Sequence, residues 1–278
     1  MLSRAWCGVM EDVTRFAPSP TGLLHLGHAH AALFARGLGR RCLLRIEDID
    51  ATRCRAAFAD AIAEDMEWLG LRFDGAVRVQ SAHMAEYAAT LGALRARGLL
   101  YPCFCTRADI AAASSAQHGP SGLLYPGTCR GRTDGAARIA AGAPHAWRLD
   151  VARALAETGP LSFEERGEGR IRCDPLAHGD VVLARKDIPA SYHLCVTHDD
   201  ARQGVTCVTR GTDLKEATAI HRLIQALMGW PEPRYAHHRL LAGPDGRRLA
   251  KRDGAPSLRA LREAGHSPAE VRAMAGFA

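Results

Sequence analysis

The sequence lacks any apolar run long enough to cross a membrane, and residues 1–13 contain Glu11 and Asp12 where a signal peptide would be apolar. We therefore expect a cytoplasmic protein without a membrane partner. Lysine is also scarce, because Lys186, Lys215 and Lys251 are the three in 278 residues, and arginine supplies most of the formal net charge of +6. This balance suits a polyanionic partner such as RNA or ATP, although an arginine-rich genome would explain it equally well.

An even, closely spaced set of cysteines is missing as well. The nine cysteines are an odd number and are spread through a long chain, which argues against a secreted disulfide framework. With 47% hydrophobic residues the chain can bury a full core without disulfide bonds. We expect reduced thiols, some of which could bind a metal ion.

The first hundred residues alternate between strand and helix patterns. Residues 13–17 predict a strand, residues 18–22 (PSPTG) a loop, and residues 25–38 a helix that stops at Gly39. A second strand at 42–46 precedes helices at 55–69 and 81–97. This order is typical of a parallel α/β sheet, in which ligands bind beyond the carboxyl ends of the strands.

The composition changes after residue 100, which predicts an insertion at 101–180 between the two halves of one catalytic domain, 13–100 and 181–278. The insertion contains clustered cysteines, a Gly/Ser/Pro-rich stretch at 114–127 and no sustained helical pattern. Apolar and polar residues then alternate through 192–196 and 205–209, a pattern typical of strands. A helix is predicted at 214–228, and two short helices separated by Pro268 are predicted at the C-terminal end.

Two groups of residues predict chemistry. His25, Gly27 and His28 follow the first loop at a predicted helix start, where free backbone N–H groups and the helix dipole favour a phosphate. By themselves they fit two surface histidines nearly as well. Cys103, Cys105 and Cys129 lie in the loop-rich insertion and predict a structural zinc site, for which His118 is the fourth ligand that general chemistry favours. Buried free thiols are the alternative.

Several segments, in order along nearly the whole chain, resemble the class I glutamyl-tRNA synthetases. They read RFAPSPTG at 15–22, HLGH at 25–28, RIEDID at 45–50, YHL at 192–194, DDARQGVT at 199–206, RGTDL at 210–214 and RLAKR at 248–252. The chain is most similar to the short group that lacks an anticodon-binding domain, the glutamyl-Q tRNA(Asp) synthetases. Residues 253–278 are too few for such a domain. The fold implied is the Rossmann-like sheet of class I synthetases, interrupted by a zinc-bearing insertion and followed by short helices.

The resemblance implies residue roles. Arg15 and Arg210 would bind the glutamate carboxylates, and Glu47 its ammonium group. The remaining pocket residues implied are Phe16, Ala17, Pro18, Ser19 and Tyr192. His25, Gly27, His28 and Lys251 would bind ATP, with His25, His28 and Lys251 as the catalytic groups. The lysine loop departs from the family pattern at Arg248 and Ala250, from which we expect slow activation.

The resemblance also implies Tyr125 as the fourth zinc ligand, four residues before Cys129, which leaves Tyr125 and His118 as alternatives. Its implied cofactors are structural Zn²⁺ and Mg²⁺ with ATP. Its implied partners are ATP, L-glutamate and tRNA(Asp) carrying queuosine, and we expect a monomer. Three other functions remain open: a truncated glutamyl-tRNA synthetase that charges an acceptor end, a nucleotidyltransferase for a small molecule, and a non-catalytic zinc-bearing RNA-binding paralogue.

Overall fold

The computed structural model describes residues 12–113, 118–120, 122–241 and 256–277. Its first part alternates strands and helices, as the sequence predicts. The elements are β1 (Val13–Phe16), α1 (Leu26–Leu38), β2 (Arg41–Ile46), α2 (Ala56–Trp68), β3 (Arg78–Val79), a 3₁₀ turn (Gln80–His83) and α3 (Met84–Ala96). Strand β2 pairs in parallel with β1 on one side and with β3 on the other. The prediction of a parallel α/β fold is confirmed.

Helix α1 forms where its sequence has both a cap and an apolar stripe. His25 is its N-cap, and the backbone N–H of Gly39 closes the last turn on the carbonyl of Ala35. Ala29, Ala32 and Ala35 are buried on one side, so the helix packs closely against the sheet. This packing places the N-terminus of α1 near the carboxyl end of β1.

The middle of the chain contains more regular structure than the sequence suggests. Its elements are β4 (Leu100–Cys103), α4 (Arg107–Ala113), β5 (His118–Gly119), β6 (Gly122–Leu123), α5 (Gly135–Ala140), β7 (Ala146–Leu149), α6 (Val151–Thr158), β8 (Ser162–Glu165), β9 (Gly169–Arg172) and a 3₁₀ turn (Pro175–His178). The expectation of no sustained helical pattern is wrong for α6, which Asp150 caps by accepting from the backbone N–H of Arg153. Helix α6 has two turns, and its local signals are the Asp150 cap and a short apolar stripe in which Val151 and Ala154 are buried.

The last part returns to the sheet. Its elements are β10 (Val182–Ala184), α7 (Tyr192–Arg202), β11 (Cys207–Gly211), a 3₁₀ turn (Thr212–Leu214), α8 (Thr218–Met228), β12 (Arg234–His238), α9 (Leu258–Glu263) and α10 (Pro268–Met274). The strand expected at 192–196 is instead the start of α7, where Ser191 caps the helix by accepting from the N–H of Leu194. Because residues 194–200 are all buried, α7 has no polar face to reveal its period.

Two groups of strands form the central sheet. Strand β11 lies beside β1, since the N–H of Thr206 donates to the carbonyl of Val13 at 3.0 Å and Thr209 Oγ1 donates to the carbonyl of Arg15 at 3.4 Å. Beyond β11 follow β12 and β8 in parallel, and β9 antiparallel at the edge. A separate antiparallel sheet has the order β4-β7-β10. The carboxyl ends of β1, β2 and β11 therefore meet at one edge of the central sheet.

Buried apolar clusters cover both faces of the central sheet. One joins α1 and α2 to α9 and α10, through residues such as Ile62, Leu258 and Val271. Another, with Phe163 and Tyr235, lies under β8, β11 and β12. Within the described ranges, each helix is too short or too polar to span a lipid bilayer.

Candidate active site

A cavity of about 430 Å³ opens at the carboxyl edge of the central sheet. All of the predicted glutamate and ATP residues that the structure describes line this cavity: Arg15, Phe16, Ala17, Pro18, Ser19, His25, Gly27, His28, Glu47, Tyr192 and Arg210. Lys251, together with Arg248 and Ala250, lies outside the described residues. Segments separated by almost 200 positions thus contribute to one concave surface.

The histidine pair forms the cap of α1. His25 Nδ1 accepts from the backbone N–H of Gly27 at 3.1 Å, and His28 Nδ1 accepts from the N–H of His25 at 3.2 Å. Since both Nδ1 atoms are acceptors, each neutral ring carries its proton on Nε2, the atom suited to donate to an anion. The two ring centroids lie 4.0 Å apart.

The backbone at the start of α1 differs from the sequence-based expectation of free N–H groups. The N–H of Gly27 bonds to the His25 ring and that of His28 to the His25 carbonyl, so the pair itself satisfies them. A Cβ at Gly27 would lie 2.9 Å from the Cε1 atom of His25, too close for any other residue unless that ring moved. Gly27 therefore preserves the orientation of His25.

Arg15 is a buried cation held from the back of the cavity. Its Nε donates to Asp200 Oδ1 at 2.9 Å and its Nη1 to the carbonyl of Thr209 at 2.6 Å. Within the described part of the chain its Nη2 has no hydrogen-bond partner. The side chain is 5% exposed, so this nitrogen is the part of the fork that a ligand in the cavity can reach.

Arg210 is the second cation, from the end of β11. Its Nε donates to His237 Nε2 at 3.1 Å, Nη1 lies 2.8 Å from His221 Nδ1, and Nη2 donates to Thr218 Oγ1 at 2.5 Å. Strand β12 and helix α8 supply these three acceptors. Two guanidinium groups with fixed orientations thus line the same cavity.

Glu47 is the acid of the cavity and follows β2 directly. Its Oε1 lies 3.4 Å from Arg45 Nη2, and its side chain is 10% exposed. Burial raises the pKa of Glu47 to about 7, although Arg45 and Arg15 act in the opposite direction. An ammonium group bound here would restore the charged form.

A buried ionic network supports these groups from behind. Asp200 accepts from Arg45 Nη1 at 2.9 Å as well as from Arg15. Asp199, fully buried, accepts from Arg78 Nε and Gln80 Nε2, both at 2.8 Å. The segment 199–206 carries part of the resemblance, but the sequence does not reveal that its two aspartates orient the pocket, since their partners are more than a hundred positions away.

A second cavity of about 330 Å³ adjoins the first. The two share four lining residues: Ser19, Thr21, Glu47 and Tyr192. Polar groups on its walls include Gln80 and Asp50, and Arg53 and Arg185 each lie near the Asp50 carboxylate, at 2.8 and 3.6 Å. This space was not predicted, because the loop at 185–191 and the loop after β2 meet only in the folded chain.

The three predicted thiols lie together in the antiparallel part of the structure. The Sγ atoms of Cys103, Cys105 and Cys129 are all within 4.8 Å of one another, and those of Cys105 and Cys129 are 3.5 Å apart. Tetrahedral zinc with bonds of about 2.3 Å places its sulfur ligands about 3.8 Å apart, so this group fits the ion. These three cysteines could hold a metal.

Tyr125 lies against the thiols. Its hydroxyl is 3.4 Å from Cys103 Sγ and 3.7 Å from Cys105 Sγ, and it accepts from the N–H of Cys129 at 2.7 Å. The guanidinium of Arg148 lies 3.8 Å from its ring centroid. The side chain of His118, the alternative ligand, lies outside the described residues.

Comparison with known proteins agrees with this geometry. The family model for class I tRNA synthetases (E and Q), catalytic domain, matches residues 12–275. A glutamyl-Q tRNA(Asp) synthetase from Rhodobacter capsulatus is 48% identical over 95% of this chain and 100% of its own length. One from Nocardia farcinica is 45% identical over 94% of this chain and 82% of its own length.

Among solved structures, a glutamate tRNA ligase from Elizabethkingia meningosepticum in complex with its amino acid aligns with a TM-score of 0.73 and 26% identity. It covers 88% of this chain, which spans 53% of that protein, or about half its length. The family model covers nearly all of the described residues, and the Rhodobacter relative is matched from end to end. The chain therefore belongs to the glutamyl-Q tRNA(Asp) synthetases, ligases of the class I aminoacyl-tRNA synthetase family.

Proposed function

We propose that the protein activates L-glutamate with ATP to glutamyl-adenylate and transfers the glutamyl group to the queuosine base in the anticodon of tRNA(Asp). The observation that carries this proposal is one cavity that contains two fixed guanidinium groups, one carboxylate and the histidine pair at the start of α1. The proposed acceptor is suggested by the relatives, which are named glutamyl-Q tRNA(Asp) synthetases. The protein would act as a monomer in the cytoplasm, where its substrates are present.

Glutamate recognition follows from charge. At neutral pH the substrate carries two carboxylates and one ammonium, and the cavity offers two cations, Arg15 and Arg210, with Glu47 as the anion. A guanidinium donates two parallel hydrogen bonds to a carboxylate, which also selects against the neutral amide of glutamine. Ser19 and Tyr192 would line the bound amino acid, with Phe16, Ala17 and Pro18 as backbone wall.

Activation needs positioning and no base. An oxygen of the substrate α-carboxylate attacks the α-phosphorus of ATP, the bond to the bridging oxygen breaks, and pyrophosphate leaves. His25 and His28 would donate to the α-phosphoryl oxygens through Nε2, and Lys251 would stabilise the departing pyrophosphate. Mg²⁺ bound with ATP supplies further neutralisation of the phosphate charge.

The second cavity is suited to the acceptor. It adjoins the first at Glu47 and Tyr192, so a nucleoside lodged there would lie beside the adenylate. A hydroxyl oxygen of the queuosine cyclopentene ring would attack the glutamyl carbonyl carbon. The bond from that carbon to the phosphate oxygen breaks, AMP leaves, and the hydroxyl proton passes to solvent. Arg53 and Arg185 at the rim would attract the backbone phosphates of the anticodon loop.

Two assays test this function. Glutamate-dependent exchange of pyrophosphate into ATP reports activation, and its absence in purified protein would leave a non-catalytic RNA-binding module. Transfer of radiolabelled glutamate to tRNA(Asp), with and without queuosine, reports the acceptor. Nuclease digestion must place the label in the anticodon; label at the 3′ end would instead identify a truncated glutamyl-tRNA synthetase.

A matched pair of arginines tests the acceptor cavity. Arg185 pairs with Asp187 and lines the second cavity, whereas Arg132 pairs with Asp134 and lines neither cavity. Their side chains are similarly exposed, at 40% and 35%. Arg185→Ala should lower transfer about tenfold with exchange unchanged, whereas Arg132→Ala should leave both rates unchanged.

A larger side chain at Cys54 would occupy part of the second cavity and so tests whether the acceptor binds there. It lines the second cavity and not the first. Cys54→Phe should block transfer while exchange continues, and Cys54→Ser, which keeps the volume, should transfer normally. Equal transfer by the two variants would exclude this cavity as the acceptor site.

A further inference from the structure

Arg210 makes three hydrogen bonds through three different nitrogens, and two of its acceptors are histidines. His237 from β12 and His221 from α8 approach it from different elements. His221 is 3% exposed, and the side chain of His237 is 1% exposed. Neither residue lines the active-site cavity. Both therefore contact the guanidinium from the protein side and are not placed to touch a substrate.

The direction of these bonds determines the tautomer of each ring. A guanidinium only donates, so His237 Nε2 and His221 Nδ1 must each present a lone pair to Arg210. The proton of His237 is then on Nδ1, where it is donated to Glu165 Oε2 at 2.6 Å. The proton of His221 is on Nε2, where it is donated to His193 Nδ1 at 3.1 Å.

The hydrogen bonds from Arg210 through His237 end at a buried carboxylate, whereas those through His221 end at His193, which lines the second cavity. Glu165 is 3% exposed, and its Oε1 accepts from the backbone N–H of His237 at 2.9 Å. The carboxylate is therefore hydrogen-bonded to both the backbone and the ring of His237. Burial, followed by the charge of Arg210, lowers the pKa of His237 to about 4 and that of His221 well below its usual value. With these lowered pKa values both rings are neutral at pH 7, in agreement with the tautomers that the hydrogen bonds require.

We infer that His221 and His237 are positioning residues for glutamate: as neutral acceptors with fixed tautomers, they orient the Arg210 guanidinium toward the cavity. This rests on the proposed role of Arg210 in binding glutamate. With Nε, Nη1 and Nη2 each held, the fork keeps one orientation before the substrate arrives. The remaining N–H groups can meet a carboxylate without the entropic cost of ordering a free arginine.

Substitutions at His237 separate positioning from simple packing. His237→Leu removes the acceptor, and we expect the glutamate KM in pyrophosphate exchange to rise about tenfold to a hundredfold. The KM for ATP should change less than about twofold. His237→Gln offers an amide oxygen that can accept from Nε, and it should recover most of the glutamate affinity. His221→Leu should resemble His237→Leu.

His198 provides the matched control. It is 6% exposed and pairs with Glu86 and Thr90, and it lines neither cavity. His198→Leu should reduce thermal stability yet leave the glutamate KM unchanged. If it raised the glutamate KM as much as His237→Leu does, or if a folded His237→Gln variant recovered nothing, the positioning role would be wrong.

A measurement on the unmodified protein does not depend on how the variants fold. Proton–nitrogen correlation spectra of the histidine rings should show the Nδ1–H tautomer at His237 and the Nε2–H tautomer at His221 at neutral pH. Charged rings, or the opposite tautomers, would overturn the inference. Absence of exchange in the wild type, with these tautomers present, would count against the proposed function and not against the orientation of Arg210.

Discussion

Asp200 Oδ1 accepts a hydrogen bond from Arg15 Nε at 2.9 Å, although 185 positions separate the two residues. The same oxygen accepts from Arg45 Nη1 at 2.9 Å. Burial alone would raise the pKa of Asp200, but Arg15 and Arg45 outweigh it and the pKa is lowered. One carboxylate thus compensates two buried cations and ties α7 to β1 and β2.

Removal of the Asp200 carboxylate should lower the stability of the folded protein. Asp200→Ala would leave Arg15 and Arg45 buried and short of a partner, and we expect the free energy of unfolding to fall by about 3–5 kcal/mol. Urea denaturation followed by circular dichroism measures it. The control is Asp134→Ala, whose exposed pairing with Arg132 should leave the denaturation midpoint unchanged. A midpoint for Asp200→Ala equal to that of the control would contradict a structural role for Asp200.

Glu47 should make glutamate binding depend on pH. Its pKa in the empty pocket is about 7, and only the ionised form attracts the substrate ammonium, so affinity should increase as pH rises through this value. Between pH 6 and pH 8 the dissociation constant should fall about tenfold. Isothermal titration calorimetry with glutamate alone measures it. Glu47→Gln should bind weakly at every pH, and a flat profile in the wild type would remove Glu47 from this role.

Much of the fold could be predicted because its signals are local. The alternation of strands and helices, the stop at Gly39 and the split at Pro268 each depend on a few neighbouring residues. The strand predicted at 192–196 is wrong for a physical reason: residues 194–200 are all buried in α7, so the apolar–polar alternation there does not distinguish a buried face from an exposed one. The cap by Ser191 was the available signal.

The candidate site likewise contains some residues that the sequence could nominate and others that only the folded structure reveals. Arg15, Glu47 and Arg210 could be nominated because the family segments surround them. The groups that hold these residues could not, since His237 and Asp200 act through contacts formed only by the tertiary fold. The second cavity is a further example, because it exists only where two distant loops meet.

The thiol cluster should bind zinc. Purified protein should contain about one zinc per chain by mass spectrometry of the metal, and Cys105→Ser should contain little and unfold at a lower temperature. Cys54→Ser is the control, since Cys54 is not part of the cluster. Tyr125→Phe and His118→Ala distinguish the fourth ligand. Loss of zinc in Tyr125→Phe alone supports the phenol, and loss in His118→Ala alone supports the imidazole.

Lys251 should act on ATP and not on glutamate. Because the lysine would stabilise the charge on the departing pyrophosphate, Lys251→Ala should lower the exchange rate about a hundredfold to a thousandfold. Glutamate affinity, measured by calorimetry without ATP, should stay within about twofold, since the proposed amino-acid site is formed by other residues. Lys186→Ala is the matched control: Lys186 donates to the carbonyl of Phe104 at 2.8 Å, lines neither cavity and should be dispensable for exchange. A variant that bound glutamate poorly but exchanged at the wild-type rate at saturation would place Lys251 in the amino-acid pocket instead.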